Sequence, residues 1–502
     1  KFSDCASALN EAGLVKKTDI KADCSIQGIT YNSREVAEGF LFVCKGAHFK
    51  ETYLTDAISR GAAAYVSETE YEAGRDIEAI IVKDIRAAMP VIAKAFYGDL
   101  SAEIKMIGIT GTKGKSTTAY FLRAILDDYL TDTKGVKSAI CSGIDNYDGV
   151  NLEEAHLTTP EIMELYHHMN NAVNSGIPFM EMEVSSQALK YDRVAGVQYE
   201  LACFLNIGTD HISDMEHKDF EDYFGSKLLI FDQANSACIN MDSEEFERIE
   251  QAATKTGRVV RFSEKNAAAN VYAENIVSDR GKVEFDAVIR DVPGYEDDRL
   301  HIDLAAFGVI NVRNAVAAVA MAAMLGVPGR YIVSGLGRAL TPGRMEVYRS
   351  ADGKYIGIVD YAHNKLSYEA LLSAISGEFP DRNIVMVFGS TGGKAINRRE
   401  ELGSIAGKYC SHVVLTEDDG GEEDIPSICR EIAGYLGDEC SYEIIPDRPE
   451  AIRHAVEQAD EKSIVIAAGK AREHYQKRGD HFIEIEADVD VMRKAIALKG
   501  EK

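Results

Sequence analysis

A glycine-rich loop connects an apolar run to a long helical pattern early in the chain. Residues 104–110 are apolar enough for a buried strand, the segment GITGTKGKSTT occupies residues 108–118, and apolar side chains recur at helical spacing from Ser116 onward. Glycines let backbone N–H groups turn inward around phosphate oxygens, and the start of a helix favours negative charge. The pattern therefore predicts a phosphate-binding loop between a strand and a helix of a parallel α/β sheet.

Two side chains of this loop carry the chemistry that a nucleotide requires. We expect Lys115 to neutralise the β and γ phosphates and the Ser116 hydroxyl to ligate Mg²⁺. The common Walker spacing would need a glycine at position 109, where isoleucine stands, so the loop is a variant. A glycine turn that only caps a helix is the alternative, and the GKST segment between strand and helix argues against it. The candidate nucleotide-binding residues of the loop are Gly111, Thr112, Lys113, Gly114, Lys115, Ser116 and Thr117.

Strand and helix patterns alternate along the chain and divide it into three regions. With 502 residues, of which 46% are hydrophobic, the chain is long enough for about two to four globular domains. Residues 1–98 form a small α/β pattern, and residues 99–341 contain the loop and a mostly parallel sheet. Residues 342–502 follow a Rossmann-like period, although no GxGxxG motif opens it. The sequence predicts three α/β domains with these boundaries.

The charge and the cysteines argue against several classes of protein. A formal charge of −26 makes nucleic-acid binding improbable, because phosphate binding needs clustered Lys and Arg. No apolar run approaches the roughly 18 residues of a membrane span, and the N-terminus lacks the pattern of a secretory signal. The nine cysteines are scattered without a CxxC pair, which argues against a disulfide framework or a zinc ribbon. We predict a cytoplasmic protein without nucleic-acid or membrane partners.

Two further segments combine acidic, histidine and lysine side chains. In FMEMEVSSQAL, residues 179–189, strand alternation separates the methionines from the glutamates, and Glu183 stands at the carboxyl end, where open α/β sheets bind ligands. The segment FLNIGTDHISDMEHKDFEDYFGSKLLIF, residues 204–231, contains His211 and Lys227. Taken alone, Glu183 is better explained as a solvated strand end, and Lys227 as a helix lysine whose stem lies on apolar surface.

These motifs occur in the order and spacing of the Mur ligase family, which the chain resembles along nearly its whole length. The GTKGKS loop, the EVSS strand end and the 204–231 block carry the resemblance, and the tripeptide synthetases of the family are most similar. The resemblance implies an ATP-dependent amide ligase with two Mg²⁺ ions between ATP and an acceptor carboxylate. By resemblance the metal ligands are Ser116, Glu183, His211 and a carbamylated Lys227, and the catalytic residues are Lys115, His211, Lys227 and Arg344.

The resemblance also implies an acceptor site. HLTTPEIMEL, residues 156–165, corresponds to a Thr-Thr-Pro segment that contacts the sugar–peptide substrate in the family, although helix capping alone would explain it. Gln187 replaces a His that is usual in the EVSS motif. Arg193 suits a carboxylate because its planar fork can bind two oxygens. The implied acceptor contacts are Thr158, Thr159, Ser185, Tyr191 and Arg193.

In the first domain, TYNSREVAEGFLFVCKGAHF at residues 30–49 resembles the uridine-binding segment of the tripeptide synthetases. Asn32 stands where Asp is usual. On residue types alone the segment is a turn, a strand and a loop, so its substrate contacts rest on the resemblance. These contacts are Thr30, Ser33, Ala47, His48 and Phe49, and they make residues 1–98 the expected UDP-sugar-binding domain.

Nucleotide contacts are implied beyond the phosphate loop as well. GVINVRNAVAA, residues 308–318, resembles an Asn-x-x-Asn helix start whose Asn311 would reach adenine, and helix capping is an equally good explanation. Arg344 in PGRME, with Asp360 and His363 in DYAH, resembles the groups that close over the ATP phosphates and ribose. The Thr-Pro-Asp that usually follows this His is Asn-Lys-Leu here.

The identity of the added amino acid is the property that the motifs constrain least. Family members that add diaminopimelate carry Asp-Asn-Pro-Arg, whose Arg receives the distal carboxylate, whereas residues 418–421 are Asp-Asp-Gly-Gly. Without that Arg, acidic side chains would repel a distal carboxylate and favour an ammonium, which predicts L-lysine or another basic diamino acid. An acidic, solvated helix start is the alternative. The implied contacts of the third domain, two of them in altered motifs, are Arg399, Asp418, Asp419, Gly469 and Glu473.

The resemblance implies one reaction, with alternatives. MgATP would phosphorylate the D-glutamate side-chain carboxylate of UDP-MurNAc-L-Ala-D-Glu, and a free amino acid would attack the acyl phosphate, in a monomeric enzyme of peptidoglycan precursor synthesis. The alternatives are another Mur-type ligase with a different amino acid or carboxylate acceptor, and a non-catalytic nucleotide-binding homologue. Folylpolyglutamate synthetases share the GTKGK loop but lack a uridine-binding first domain, so residues 30–49 argue against them.

Overall fold

The chain folds into two compact units, each built from helices packed on mostly parallel sheets. A computed structural model describes residues 1–46, 49–208, 216–393 and 396–500. The predicted α/β class is confirmed, while the domain boundaries near residues 98 and 341 stay predictions. The first unit comprises Lys1–Tyr272, Val288–Asp298 and Val316–Gly335, and the second comprises Ala273–Ala287, Arg299–Ala315 and Leu336–Lys502.

The N-terminal part of the first unit is a five-stranded sheet with helices on both faces. Its elements are α1 (Phe2–Glu11), β1 (Val15–Asp19), β2 (Gly28–Thr30), β3 (Phe40–Val43), α2 (Glu51–Ser59), β4 (Ala64–Ser67), β5 (Glu78–Val82) and α3 (Ile85–Tyr97). The strand order is β1-β5-β4-β3-β2, and β1 is antiparallel to β5. In β5, Ile80 and Val82 pack with α1 and α3, whereas Ala79 and Ile81 pack with α2. Burial on both faces explains why the strand is a continuous apolar run.

A larger sheet follows. Its elements and the helices around it are β6 (Lys105–Thr110), α4 (Lys115–Lys134), β7 (Ala139–Cys141), β8 (Asp145–Tyr147), β9 (Leu152–Glu154), α5 (Ile162–Asn174), β10 (Phe179–Glu183), α6 (Ser186–Lys190), β11 (Tyr199–Phe204), α7 (Phe220–Leu228), β12 (Ala234–Asn240), α8 (Phe246–Ala253), β13 (Arg258–Ser263), β14 (Val271–Asp279), β15 (Lys282–Ile289), β16 (Asp298–Leu304), α9 (Val312–Met324) and α10 (Gly329–Leu336).

The strands of this sheet that belong to the first unit run in the order β13-β12-β11-β6-β10-β7-β8-β9. Pairing is parallel from β13 to β7 and antiparallel at β8 and β9. β6 lies between β11 and β10, so the strand that leads into the glycine-rich loop is central. The first two residues of β14 pair in parallel with β13. In the sheet, β15 is the neighbour of β14, and β16 is the neighbour of β15.

The C-terminal part of the second unit is a six-stranded sheet and a two-stranded one. Its elements are β17 (Glu346–Arg349), β18 (Ile356–Asp360), α11 (Lys365–Glu378), β19 (Asn383–Phe388), α12 (Asn397–Tyr409), β20 (His412–Leu415), α13 (Ile425–Ala433), β21 (Ser441–Ile444), α14 (Arg448–Gln458), β22 (Ser463–Ala468), β23 (Tyr475–Arg478), β24 (His481–Glu484) and α15 (Asp488–Lys499). The order β17-β18-β22-β19-β20-β21 is parallel except at β17. Within the described ranges, no helix combines the length and apolarity needed to cross a membrane.

Candidate functional site

Three neighbouring parallel strands end at one edge of the large sheet, and each leads into a polar loop. β6 pairs with β10 on one side and with β11 on the other, so that Glu183 lies opposite Ile109 and Phe204 lies opposite Thr110. The carboxyl ends of such strands are where open α/β sheets bind ligands. The fold therefore brings the glycine-rich loop, the EVSS segment and the residues after Phe204 to one place.

The glycine-rich loop is packed closely against the chain that follows β11. Gly111 has a φ of +152°, and a Cβ atom there would lie 3.0 Å from Cβ of Leu205 and 3.2 Å from the backbone nitrogen of Asn206. Only glycine fits this position without displacing the neighbouring strand end. Gly114 precedes α4 and has no side chain that could cap the helix, whose first N–H groups have no partner within the helix. This arrangement suits a phosphate group.

Asn206 holds the loop in shape. Its Oδ1 accepts hydrogen bonds from the backbone N–H groups of Thr112, at 3.1 Å, and Lys113, at 2.9 Å. Its Nδ2 donates to the carbonyl of Lys113 at 2.9 Å. Thr112 is itself buried, and its hydroxyl lies 3.1 Å from that of Tyr223. The sequence analysis did not identify Asn206 as a site residue, and its position directly after a buried strand was the available signal.

Lys115 and Lys227 both bind the carbonyl oxygen of Gly111. The Nζ atoms of Lys115, at the start of α4, and of Lys227, near the end of α7, each lie 3.0 Å from that oxygen. Lys227 is only 2% exposed, and its Nζ lies 4.7 Å from the centre of the Tyr223 ring. The lysine that the resemblance assigns to the metal cluster is therefore a buried neighbour of the phosphate loop.

The other candidate metal ligands differ in what surrounds them. Glu183 is 1% exposed, and its Oε1 accepts a hydrogen bond from the N–H of Gly143 at 2.8 Å. Ser116 lies in the first turn of α4. A carboxylate and a hydroxyl are the hard oxygen donors that Mg²⁺ prefers, so these two residues fit that ion. His211 lies outside the described residues.

The candidate acceptor residues gather around the end of β10. Thr159 is fully buried, and its hydroxyl donates to the carbonyl of Glu183 at 2.9 Å and accepts from the N–H of Ser185 at 3.0 Å. Ser185 also caps α6 by accepting from the N–H of Ala188 at 3.1 Å. A Cβ atom on Gly143 would lie 3.4 Å from Oγ1 of Thr158 and 3.7 Å from Oε1 of Glu183, so these two side chains both lie next to Gly143.

Arg193 and Tyr191, which follow α6, lie among other charged groups. Nε of Arg193 lies 3.3 Å from Oε1 of Glu161, and Nζ of Lys45 lies 2.7 Å from the same oxygen. The guanidinium of Arg86 lies 5.4 Å from the centre of the Tyr191 ring. Lys45 and Glu161 lie within the interpreted segments 30–49 and 156–165, but neither was identified as a site residue, because their pairing joins residues far apart in the sequence.

The candidate uridine contacts form a turn and an aromatic cluster. Thr30 is buried, and its hydroxyl donates to Oε2 of Glu35 at 3.0 Å. Ser33 opens the short 3₁₀ helix Ser33–Glu35. The Phe49 ring packs against those of Phe42, Tyr53 and Tyr71, with ring centres 5.4–6.2 Å apart. Ala47 and His48 lie outside the described residues.

In the second unit, Asp360 organises the loop that carries Arg344. Its carboxylate accepts hydrogen bonds from the N–H groups of Met345 and Ala362, both at 2.8 Å. Burial raises the pKa of Asp360, and the charge of Arg344 opposes this shift. The Arg344 guanidinium lies 4.5 Å from the centre of the Tyr361 ring, and Nδ1 of His363 lies 2.8 Å from the Tyr361 carbonyl. The three candidate residues of this region therefore form one cluster.

Asn311, the candidate adenine contact, is buried in the turn before α9. Its Nδ2 donates to the carbonyl of Phe307 at 2.8 Å, and its Oδ1 accepts from Nδ2 of Asn314 at 3.2 Å. The pair of asparagines thus shapes the start of the helix, as the capping interpretation of the motif also expects.

An acidic cluster occupies the carboxyl ends of β20 and β22. Lys470 is 2% exposed; its Nζ lies 3.0 Å from Oδ1 of Asp419, and it also pairs with Glu473. Burial raises the pKa of Asp418 to about 6. A Cβ atom on Gly469 would lie 2.6 Å from Oδ2 of Asp418, so glycine is needed for this approach. Asp418, Asp419 and Glu473 place three carboxyl groups around the Lys470 ammonium, and the nearby Arg448, whose charge also acts on Asp418, is paired with Asp488.

Arg399 pairs with carboxylates other than those of the acidic cluster. It is 5% exposed, and its guanidinium hydrogen-bonds to Glu423 and Glu431, each at 2.6 Å. The predicted role of Arg399 in gripping the incoming amino acid stays a prediction. Lys470 is the residue of this region that the sequence analysis missed, although it directly follows Gly469.

Comparison with known proteins identifies the family of the chain. The family model described as the Mur ligase middle domain matches residues 109–322, and that of the Mur ligase, glutamate ligase domain matches residues 343–471. A UDP-N-acetylmuramyl-tripeptide synthetase of Ligilactobacillus salivarius (strain UCC118) is 36% identical over 99% of both chains. A UDP-N-acetylmuramoyl-L-alanyl-D-glutamate–L-lysine ligase of Enterococcus faecalis (strain ATCC 700802 / V583) is 35% identical over 92% of this chain and 89% of its own.

A solved structure supports the same relationship. The structure of a UDP-N-acetylmuramoyl-L-alanyl-D-glutamate–2,6-diaminopimelate ligase has a TM-score of 0.63 and 25% sequence identity, and the match covers 95% of this chain and 97% of that one. Because the 36% identity to the first relative extends over nearly the whole length and both domain models match, the chain belongs to the Mur ligase family, as its motifs predict.

Proposed function

We propose that this Mur ligase is an ATP-dependent enzyme of peptidoglycan precursor synthesis in the cytoplasm, and that it adds L-lysine or another basic diamino acid to UDP-MurNAc-L-Ala-D-Glu. The observation that carries the proposal is the convergence of Lys115, Lys227 and Glu183 on the ends of β6 and β10. A phosphate loop beside buried metal-type ligands is what phosphoryl transfer to a carboxylate requires.

The reaction has two bond-forming steps. An oxygen of the D-glutamyl side-chain carboxylate attacks the γ phosphorus of ATP, ADP leaves, and an acyl phosphate forms. The amine of the incoming amino acid then attacks the acyl carbon, phosphate leaves with the bonding electrons, and the amine loses a proton. Two Mg²⁺ ions, when bound, neutralise the phosphate oxygens and let the two anions approach each other.

The chain's own residues bind and orient the reactants. The ammonium of Lys115 neutralises the terminal phosphates of ATP, and the N-terminal N–H groups of α4 hydrogen-bond to them. Ser116, Glu183 and His211 are the proposed metal ligands, together with Lys227 once its amine carries a carbamate. Thr158, Ser185, Tyr191 and Arg193 hold the peptide end of the acceptor. Thr30, Ser33 and the segment from Ala47 to Phe49 hold its uridine end.

The preference for a basic amino acid rests on the acidic cluster of Asp418, Asp419 and Glu473. Their net negative charge, after pairing with Lys470, attracts a side-chain ammonium and repels a side-chain carboxylate. The lysine ligase of Enterococcus faecalis supports this preference, whereas the diaminopimelate ligase structure represents the competing one.

The amino-acid preference can be tested with purified protein, ATP and UDP-MurNAc-L-Ala-D-Glu. Phosphate release and product mass would be measured with L-lysine, L-ornithine, meso-diaminopimelate and L-alanine. We expect the highest kcat/KM for a basic diamino acid. Asp419→Asn should lower kcat/KM for that substrate by roughly tenfold, because one charge-assisted contact is lost. Asp438→Asn, an exposed aspartate of the same unit, serves as the control.

The outcomes separate two conclusions. Fastest turnover with meso-diaminopimelate would overturn the proposed preference and leave the ligase assignment standing. No ATP-dependent product with any of the four amino acids would overturn the proposed function and favour a different acceptor or a non-catalytic role.

A further inference from the structure

A surplus of positive charge surrounds one buried carboxylate at the N-terminus of α5. Glu161 is the residue before that helix, and its side chain is 10% exposed. Nζ of Lys45 and Nε of Arg193 lie 2.7 Å and 3.3 Å from the same oxygen, Oε1, and these side chains are 14% and 16% exposed. Two cations therefore compete for one carboxylate oxygen in a partly desolvated space.

The charge balance at this place differs from that of the rest of the molecule. The chain carries a formal charge of −26, and a typical surface lysine such as Lys17 has its own exposed glutamate, Glu70, at 2.8 Å. Burial lowers the pKa of Lys45; the pairing with Glu161 opposes this shift, and the nearby charges of Arg86 and Arg193 add to it. Nε of Arg193 is buried and has no hydrogen-bond partner within the described ranges. A second anion would satisfy both cations.

The position of this cluster indicates which anion it takes. Arg193 follows α6, whose cap Ser185 is joined through Thr159 to the carbonyl of Glu183. The acceptor of the proposed reaction ends in D-glutamate, which has two carboxylates. One of them must reach the phosphate loop beside Glu183 in order to react, and the other remains ionised a few bonds away.

We infer that Lys45 is a further substrate-binding residue, which binds the unreactive α-carboxylate of the acceptor's D-glutamate together with Arg193. The inference rests on the proposed function. Lys45 is held for this task from two sides, because its ammonium pairs with Glu161 and lies 4.4 Å from the centre of the Tyr31 ring. The Tyr31 hydroxyl hydrogen-bonds to Glu164 of the same helix. Glu161 keeps the two cations in place, and the substrate supplies the missing negative charge.

The test compares three ligands on wild-type protein, Lys45→Met and Lys45→Arg. Calorimetry measures Kd for UDP-MurNAc-L-Ala-D-Glu, for its analogue with the α-carboxylate converted to an amide, and for UDP. We expect Lys45→Met to weaken binding of the dipeptide by roughly tenfold, as for loss of a charge-assisted hydrogen bond. Binding of the amide analogue and of UDP should be unchanged, and Lys45→Arg should recover most of the affinity. Lys17→Met is the matched control for an exposed pair.

Steady-state kinetics add a readout that a structural role would not give. Lys45→Met should raise KM for the dipeptide and change kcat less than threefold, with an unchanged thermal midpoint. An equal loss of affinity for the dipeptide and the amide analogue would overturn the inference, as would weaker binding of UDP, which would place the contact at the diphosphate. Unchanged dipeptide binding would also overturn it. The calorimetric Kd values do not require turnover, so they decide about Lys45 even if the wild-type protein forms no amide. Absence of amide formation would count against the proposed function alone.

Discussion

At the scale of single residues, the loop that should hold phosphate depends on one amide side chain. The Asn206 side chain accepts hydrogen bonds from the backbone N–H groups of Thr112 and Lys113 and donates one to the carbonyl of Lys113. A loop of glycines and small residues has many accessible conformations, and these contacts select one of them. The geometry of the loop is thus fixed from a different strand, β11, rather than by the loop itself.

Replacing Asn206 should weaken ATP use. Asn206→Ala removes the three side-chain contacts, each worth about 1 kcal/mol, so kcat/KM for ATP should fall roughly ten- to a hundredfold. Asn206→Asp keeps two acceptor contacts but loses the donor and adds a negative charge beside the phosphates, so we expect a loss at least as large. Initial rates at varied ATP, with the other substrates saturating, measure both.

Asn235→Ala is the control, because Asn235 is an exposed asparagine that hydrogen-bonds to Glu200 and Gln198 at the start of β12. It should leave kcat/KM for ATP unchanged. A wild-type value for Asn206→Asp would show that the asparagine does not face the nucleotide.

At the scale of elements, buried parallel strands were predictable and exposed or short ones were not. β6 and β10 are buried along all or nearly all of their length because both faces are covered, and the sequence predicted both within about two residues. β8 has three residues, too few for any periodicity, and β16 alternates buried and exposed positions among charged side chains. Neither was predicted.

The same contrast holds for the site. Residues within motifs, such as Lys115 and Glu183, were found because a recognised pattern surrounds them, and the fold brings them together. Asn206 and Lys45 lie within interpreted segments, but they and Lys470 are distinguished by partners far away in the sequence, which are Thr112, Glu161 and Asp419. Long-range contacts of this kind follow from the fold and not from spacing.

The central strand β10 contains a buried carboxyl group that makes stability depend on pH. Burial raises the pKa of Glu181 to about 8, and the charge of Asp127 adds to the shift. In the unfolded chain this group would titrate near its ordinary value of 4.5. The folded protein therefore keeps a proton that the unfolded chain releases, and the free energy of unfolding should fall as the pH rises from 4.5 to 8.

Replacing the Glu181 carboxyl group should remove this fall in the free energy of unfolding. Glu181→Gln should be more stable than wild type by an amount that grows with pH, on the order of 3 kcal/mol at pH 7 and little at pH 5. Urea unfolding at pH 5, 6, 7 and 8 measures the difference. Glu284→Gln, at an exposed position of β15, should show no such trend. A constant offset between Glu181→Gln and wild type at all four pH values would contradict the assignment.

At the scale of the whole molecule, the dominant property is negative charge. The formal charge is −26 at neutral pH, so the negative side chains repel one another, and this repulsion destabilises the folded state. Raising NaCl from about 0.01 M to 0.15 M shortens the screening length from about 30 to about 8 Å. Most surface ion pairs are individually weak, so their loss offsets little of the gain.

Thermal unfolding at pH 7.5 should therefore shift to higher temperature with added NaCl over this range. The shift should shrink at pH 5, close to the isoelectric point of about 4.9, because little net repulsion remains there to be screened. Scanning calorimetry at the two pH values checks both statements. A midpoint that falls with salt at pH 7.5 would mean that attractive pairs outweigh the repulsion.

The carbonyl oxygen of Gly111 accepts hydrogen bonds from two ammonium groups, those of Lys115 and Lys227. If Nζ of Lys227 becomes a carbamate, it keeps one N–H, which can still donate to this carbonyl oxygen, but the side-chain charge changes from +1 to −1. Uptake of carbon dioxide would thus turn a cation beside the nucleotide cradle into an anion that can hold a metal ion. Because this charge lies next to the phosphate-binding loop, the gas and ATP should influence each other's affinity.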